Sequence, residues 1–243
     1  MEGLEDDFHE RKTEYVREKT GDPHADESHH EWDTYADEYE LFYGDIDYIS
    51  EWEVTGKSSR EIFFTNLEAA EDFLQMAPAK GLRKRQFLVM LYGNVVAAIE
   101  AYLYSTFLRY ALASDKYTEL FVEYDEELAK EKFTFRDMYM KKGGLRGHLT
   151  SYIKTRMIFH RIEKTMFIYK KVLDVDFGDV KWLIRAVGMR HHCVHRAGYD
   201  EHGNPVKLSL GDLRDLIDRA ENFGMHIERR LPRIPHPEDD GPF

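Results

Sequence analysis

The seven residues Arg190-His191-His192-Cys193-Val194-His195-Arg196 hold two arginines and three histidines, and Ala197-Gly198 follows them as a turn. A guanidinium keeps its charge at any ordinary pH, whereas an imidazole gains or loses a proton near neutrality. Such groups side by side suit proton transfer around a phosphodiester. RNA cleavage without a metal needs a base for the ribose 2′-OH proton and an acid for the leaving 5′-oxygen. It also needs a cation for the charge growing on the phosphoryl oxygens. His195 fits the base or the acid. His191 fits an assisting role in proton transfer or phosphate binding, Arg190 a phosphate clamp, and Arg196 an extension of the positive cleft. The expected products are a 2′,3′-cyclic phosphate and a free 5′-OH, and DNA is not cut by this route.

Residues five apart on a helix diverge by about 140°. Arg190 and His195 therefore meet only if the helix ends near Val194 or if a second copy supplies the opposing pair. The spacing Arg190-x4-His195, followed by Arg196-x-Gly198, resembles the signature of the HEPN superfamily, especially its prokaryotic ribonuclease branch of form R-polar-x-x-V-H-R-x-G. His191 stands at the polar position, where Asn or Asp is more frequent. The resemblance spans roughly residues 80 to 230 and takes in an earlier long helix, Leu91-Tyr-x-x-Val95…Ile99-Glu100-x-Tyr102-Leu103. It implies an all-α, HEPN-like helical bundle and a homodimer whose two motifs form a composite cleft. It also implies RNA as substrate and a toxin–antitoxin or phage-defence setting with an antitoxin or regulatory partner. A catalytically inactive module, binding protein or RNA beside a nucleotidyltransferase or other defence protein, is the alternative it allows; the intact Arg-x4-His speaks for activity. No cofactor is expected.

The same residues admit two plainer readings. His191 and His195, about 40° apart on a helix, have the spacing of a metal pair, but Asp200, His202 or Glu100 would have to complete the site, and no metal is assigned. Cations at a helix C-terminus are also favourable with no substrate at all.

Several elements must position these groups. Residues 1 to 28 read as weakly ordered or as a short charged helix interrupted at Gly21-Asp22-Pro23. Trp32, Tyr35, Tyr39, Phe42, Tyr43, Ile46 and Ile49 recur at helical spacing over 30–52, a stripe expected to dock on the helical body. A break at Thr55–Ser59 precedes a helix over 60–76 with its N-cap at Ser58 or Ser59, stopped near Pro78. The upstream glycine of a phosphate-binding loop is missing there. The next helix, 82–113, is apolar almost all round and reads as central. Glu100 lies inside it. A buried carboxylate needs a partner, either a structural Arg or Tyr or an active-site histidine, and Glu100 joins Arg196 as a substrate-binding candidate.

The periodicity predicts further helices over 115–131 and, unbroken, over 146–173. The second carries a basic face of Lys154, Arg156, Arg161, Lys164, Lys170 and Lys171 that could track a phosphate backbone. Asp179 is the expected N-cap of the motif helix, whose inner face is Trp182, Leu183, Ala186 and Val187. Ser209-Leu-Gly-Asp212 resembles a capping box before a last helix with the stripe Leu213, Leu216, Ile217, Ala220, Phe223 and Ile227. The chain thus divides into an acidic, partly helical extension (1–57), a helical domain (58–231) and a proline-rich tail (232–243).

The net charge of −12 over 243 residues is unevenly placed. Residues 1 to 53 hold 19 acidic and 4 basic side chains, which leaves 27 acidic and 30 basic in the remainder. A mildly basic body thus follows an acidic front, which serves solubility or moderates the activity by occupying the basic cleft. One cysteine excludes an internal disulfide and cysteine-rich zinc sites. The N-terminus has no signal-peptide pattern, and the best apolar stretch, Val95–Ala113, carries Glu100 and Arg109. A cytoplasmic protein without a membrane span is the expectation.

Overall fold

The computed structural model describes residues 12–43, 58–132 and 144–232. Among these residues every regular element is helical, and the one β-bridge, Tyr199 with Pro205, is isolated. The fold is all-α. The described residues divide into two compact units, 12–43 with 154–158, and 58–132 with 144–153 and 159–232.

In the first unit a helical run over 12–20 stops at Gly21, whose φ of +69° suits glycine. Helix α1 follows, Trp32–Tyr43. Trp32 and Ala36 pack with Val16 and Ala25 in a small apolar cluster, with Tyr35 at its edge. Tyr39 is buried and its ring lies 5.3 Å from that of Tyr15. Ile46 and Ile49 of the expected stripe fall outside the described residues.

The second unit starts with α2, Ser59–Gln75, opened by a reciprocal capping box between Ser58 and Glu61. Its Phe63, Leu67, Ala70 and Leu74 bury one face. Helix α3, Gly81–Ala111, is the hub, and it is buried on nearly every side from Leu88 to Phe107. By length and composition it could cross a membrane, yet 72% of its most apolar window is buried inside the protein. Its apolar residues serve the protein's own core. Tyr102 stacks on Phe63 at 4.6 Å and donates to Glu228 at 2.7 Å. Lower down, Phe107 meets Phe121, Phe159 and Tyr169.

Two expected helices are shorter than their periodicity implies. Helix α4 is Asp115–Tyr124, and a 3-10 turn at Leu128–Lys130 replaces its continuation. Asp125 interrupts it by accepting from the N–H groups of Glu127 and Leu128 and from the Tyr152 hydroxyl. The long helix over 146–173 is two helices, α5 (Gly144–Thr155) and α6 (Ile162–Leu173). The reason is a slip of phase. Ile153 and Ile162 are both buried, but nine residues apart they would face opposite sides of one helix. Breaking the chain lets both turn inward, with Phe159 buried between them and its carbonyl accepting from Thr165 Oγ1. The six basic residues of the expected face are accordingly spread over two helices and a turn.

Helices α7 (Lys181–Val194) and α8 (Leu210–Glu228) complete the unit. Helix α8 opens on the Ser209–Asp212 capping box and buries Leu213, Leu216, Ile217, Ala220, Phe223 and Ile227. Helices α2, α7 and α8 all pack on α3.

Candidate active site

The motif occupies the last turn of α7 and the loop behind it. Val180, one residue later than expected, takes the N-cap position. Asp179 still serves the helix start, accepting from the Lys181 N–H at 3.1 Å. Leu183, Ala186, Arg190 and Cys193 form the buried face. Arg190 lies seven residues after Leu183, nearly two full turns, so it points the same way. It is 6% exposed. Its Nε sits 3.6 Å from Oε2 of Glu100, and the two side chains are 7% and 10% exposed. The partner that Glu100 requires is therefore an arginine, and the pair ties α7 to α3. Within the single chain neither group opens toward a substrate, so the clamp and substrate-binding roles expected of them do not fit their burial.

The helix ends at Val194. His195 caps α7 and donates its N–H to the His191 carbonyl at 3.0 Å. Ala197 (φ +50°) and Gly198 (φ +83°) then reverse the chain, and the Gly198 N–H reaches back to the His192 carbonyl at 2.9 Å. A Cβ on Gly198 would lie 2.8 Å from Cγ2 of Val89 on α3, so only glycine fits that approach. Gly93 plays the matching part on α3, where an added Cβ would meet Val194 at 3.1 Å.

On the outer side His195 and Arg196 are exposed and His191 is half-buried. The rings of His191 and His195 are 5.2 Å apart between centroids at an interplanar angle of 34°. Arg196 Nη1 lies 3.5 Å from His192 Nδ1. Burial, followed by the charges of His195, Arg196, His192 and Arg190, holds the His191 pKa below its ordinary value. The imidazole is therefore neutral at pH 7 and can accept a proton. Cys193 is buried, and desolvation raises its thiol to about 11, so it is no nucleophile near neutrality.

Among the described residues no third ligand atom gathers with His191 and His195. Glu100 faces Arg190. Asp200 accepts from the backbone N–H groups of His202 and Asn204 and from Asn204 Nδ2, which shapes its own loop. Those bonds hold its carboxyl below the usual range. The cluster of three such ligands that occurs among the described residues is His29, His30 and Glu31, in the first unit.

One residue near the motif escapes a reading by sequence. Arg85, near the start of α3, lies over the ring of Tyr199 with its guanidinium carbon 4.5 Å from the centroid. The signal available was the basic run Arg83-Lys84-Arg85 heading an otherwise apolar helix. No protein-family model matches the chain, and no curated protein or solved structure matches it either.

Proposed function

We propose that the chain is a metal-independent endoribonuclease with its reacting groups at the C-terminal end of α7. The observation that carries this reading is the pair of imidazoles, 5.2 Å apart between centroids, beside an exposed arginine. His191, kept neutral, takes the proton from the 2′-OH as the 2′-oxygen attacks phosphorus. The P–O5′ bond breaks and His195 gives its proton to the leaving oxygen; an arriving phosphate favours the protonated form of that ring. Arg196 supports the charge on the phosphoryl oxygens. One proton is taken and one returned, and a 2′,3′-cyclic phosphate and a 5′-OH result. Arg190 acts as a positioning residue, because its pairing with Glu100 fixes where α7 lies.

A homodimer belongs to the same reading. The surface of α3 and α7 carries three exposed apolar side chains, Leu82, Met90 and Val194, at 66%, 73% and 48% exposure. That surface suits a second copy, which would bring a second set of histidines to a shared cleft. The resemblance of Arg190–Gly198 to HEPN ribonucleases supports the assignment. With it come a toxin–antitoxin or phage-defence role and an antitoxin or regulatory partner. The burial of Arg190 favours one second reading, a HEPN-like module that binds RNA or protein without cutting.

The test is cleavage of single-stranded RNA by the purified full chain with chelator present, compared with His191→Ala and His195→Ala. Loss of about 100-fold or more in either variant, with a cyclic phosphate from the wild type, supports the assignment. Unaltered cleavage by both variants refutes it. RNA binding without cleavage by the wild type favours the second reading.

A further inference from the structure

Arg85 is an unusual surface arginine. Its Nε and Nη2 are closed off from solvent, and neither has a hydrogen-bond acceptor among the described residues. Buried donors left unsatisfied cost free energy. What offsets that cost is the Tyr199 ring at 4.5 Å, a cation–π contact. Tyr199 is itself 39% exposed. Its backbone is fixed, with its N–H donating to the Arg196 carbonyl at 3.0 Å and a bridge to Pro205. The loop is also held in register on α3. Val89 and Arg85 are one turn apart on that helix, and the consecutive residues Gly198 and Tyr199 sit on them in that order. The ring is thus set against a cation with part of it in solvent, three residues after Arg196 and four after His195.

We infer that Tyr199, backed by Arg85, is a stacking platform for a nucleobase of single-stranded RNA, beside the reacting histidines. The choice of RNA rests on the ribonuclease reading above. An aromatic ring locked in one orientation receives a base with little ordering cost, and the guanidinium plane behind it keeps it there. Stacking holds the base, while Arg196 holds phosphate. The two contributions differ in salt dependence, since only the phosphate contact releases counterions.

The measurement is anisotropy of a short 2′-O-methyl RNA strand, which transesterification cannot cut, bound to the full chain. The same strand with abasic positions is the control. Tyr199→Ala is expected to weaken binding of the base-bearing strand roughly tenfold, with little effect on the abasic strand. Tyr199→Phe should stay within about twofold, and Arg85→Met should fall between the two. The salt slope should be unchanged in Tyr199→Ala and smaller by about 0.7 in Arg196→Ala. Tyr199→Leu, which keeps apolar bulk without a π-face, replaces the alanine variant if that one melts early. Equal binding of both strands by the wild type, equal losses on both strands, or no binding at all overturns the platform. Cleavage is scored separately. A chain that cuts RNA without any preference for bases loses the platform alone. A chain that never cuts but shows a Tyr199-dependent preference loses the nuclease reading and keeps the platform.

Discussion

Arg190 and Arg196 carry the same charge on one short segment, yet one is buried beside Glu100 and the other stands in solvent. Helix geometry makes the difference. Arg190 falls on the azimuth of Leu183 and Ala186 and is carried into the interface with α3. Arg196 comes after the helix has ended at Val194, and its side chain stays exposed. A cation in the first place must be neutralised by a fixed anion and becomes part of the architecture. A cation in the second is available to a phosphate. Identical residue types in one motif thus divide between a buried ion pair and an exposed cation.

The largest effect should come from breaking the buried side of this contrast. Arg190→Ala removes the guanidinium that pairs with the buried Glu100 carboxylate and should cost about 3–5 kcal/mol by denaturant unfolding. The combined change Glu100→Leu with Arg190→Met should restore much of that loss, because the charge requiring a partner is gone. Arg196→Ala should stay within about 0.5 kcal/mol of wild type. A cost below 1 kcal/mol for Arg190→Ala would remove the anchor role.

Next comes the turn that follows Arg196. Gly198→Ala combines a positive φ with a clash against Val89 and should cost about 2–3 kcal/mol, part of it recovered by Val89→Ala. Gly203→Ala, with a φ of +76° and open space around it, should cost only about 1 kcal/mol. Equal costs for both would mean that the close approach to α3 is not a constraint.

A smaller effect concerns His191. Its folded pKa lies below the ordinary 6.5, so between those two values the folded chain binds fewer protons than the unfolded one. The stability this group supports is complete above about pH 6.5 and is lost as pH falls through the lower folded value. Urea midpoints measured from pH 7 to 5 should decline, and His191→Gln should flatten the decline. The acid limb of cleavage should likewise lie below the ordinary histidine range, and a limb above it would exclude His191 as base. Smallest is the thiol: Cys193, buried and raised to about 11, should alkylate far more slowly in the native chain than after unfolding.

Local rules made much of this fold readable. The N-cap expected at Ser58 or Ser59 falls on Ser58, and the expected Ser209–Asp212 box forms, both being short-range signals. The unbroken apolar character of α3 marks it as the hub, and the Ala197-Gly198 turn marks the end of α7. The break between α5 and α6 has no glycine or proline to announce it, since it arises from a slip of phase that only packing resolves. At the site, Glu100 visibly needs a partner, but an arginine 90 residues later is one of several residues that could supply it. Extending the Leu183–Ala186 face by four residues reaches Arg190, although a charge there reads as the edge of the stripe. The contact of Arg85 with Tyr199 depends on the register of a loop on a helix, which no local pattern encodes.

The most direct measurement compares chelator-resistant RNA cleavage by His195→Ala with that by the Glu100→Leu, Arg190→Met double variant, each matched to wild type for folded fraction. His195→Ala is expected to lose at least about 100-fold while the double variant stays within about tenfold of wild type. A well-folded double variant as inactive as His195→Ala would contradict it, because Arg190 would then belong to the reacting centre.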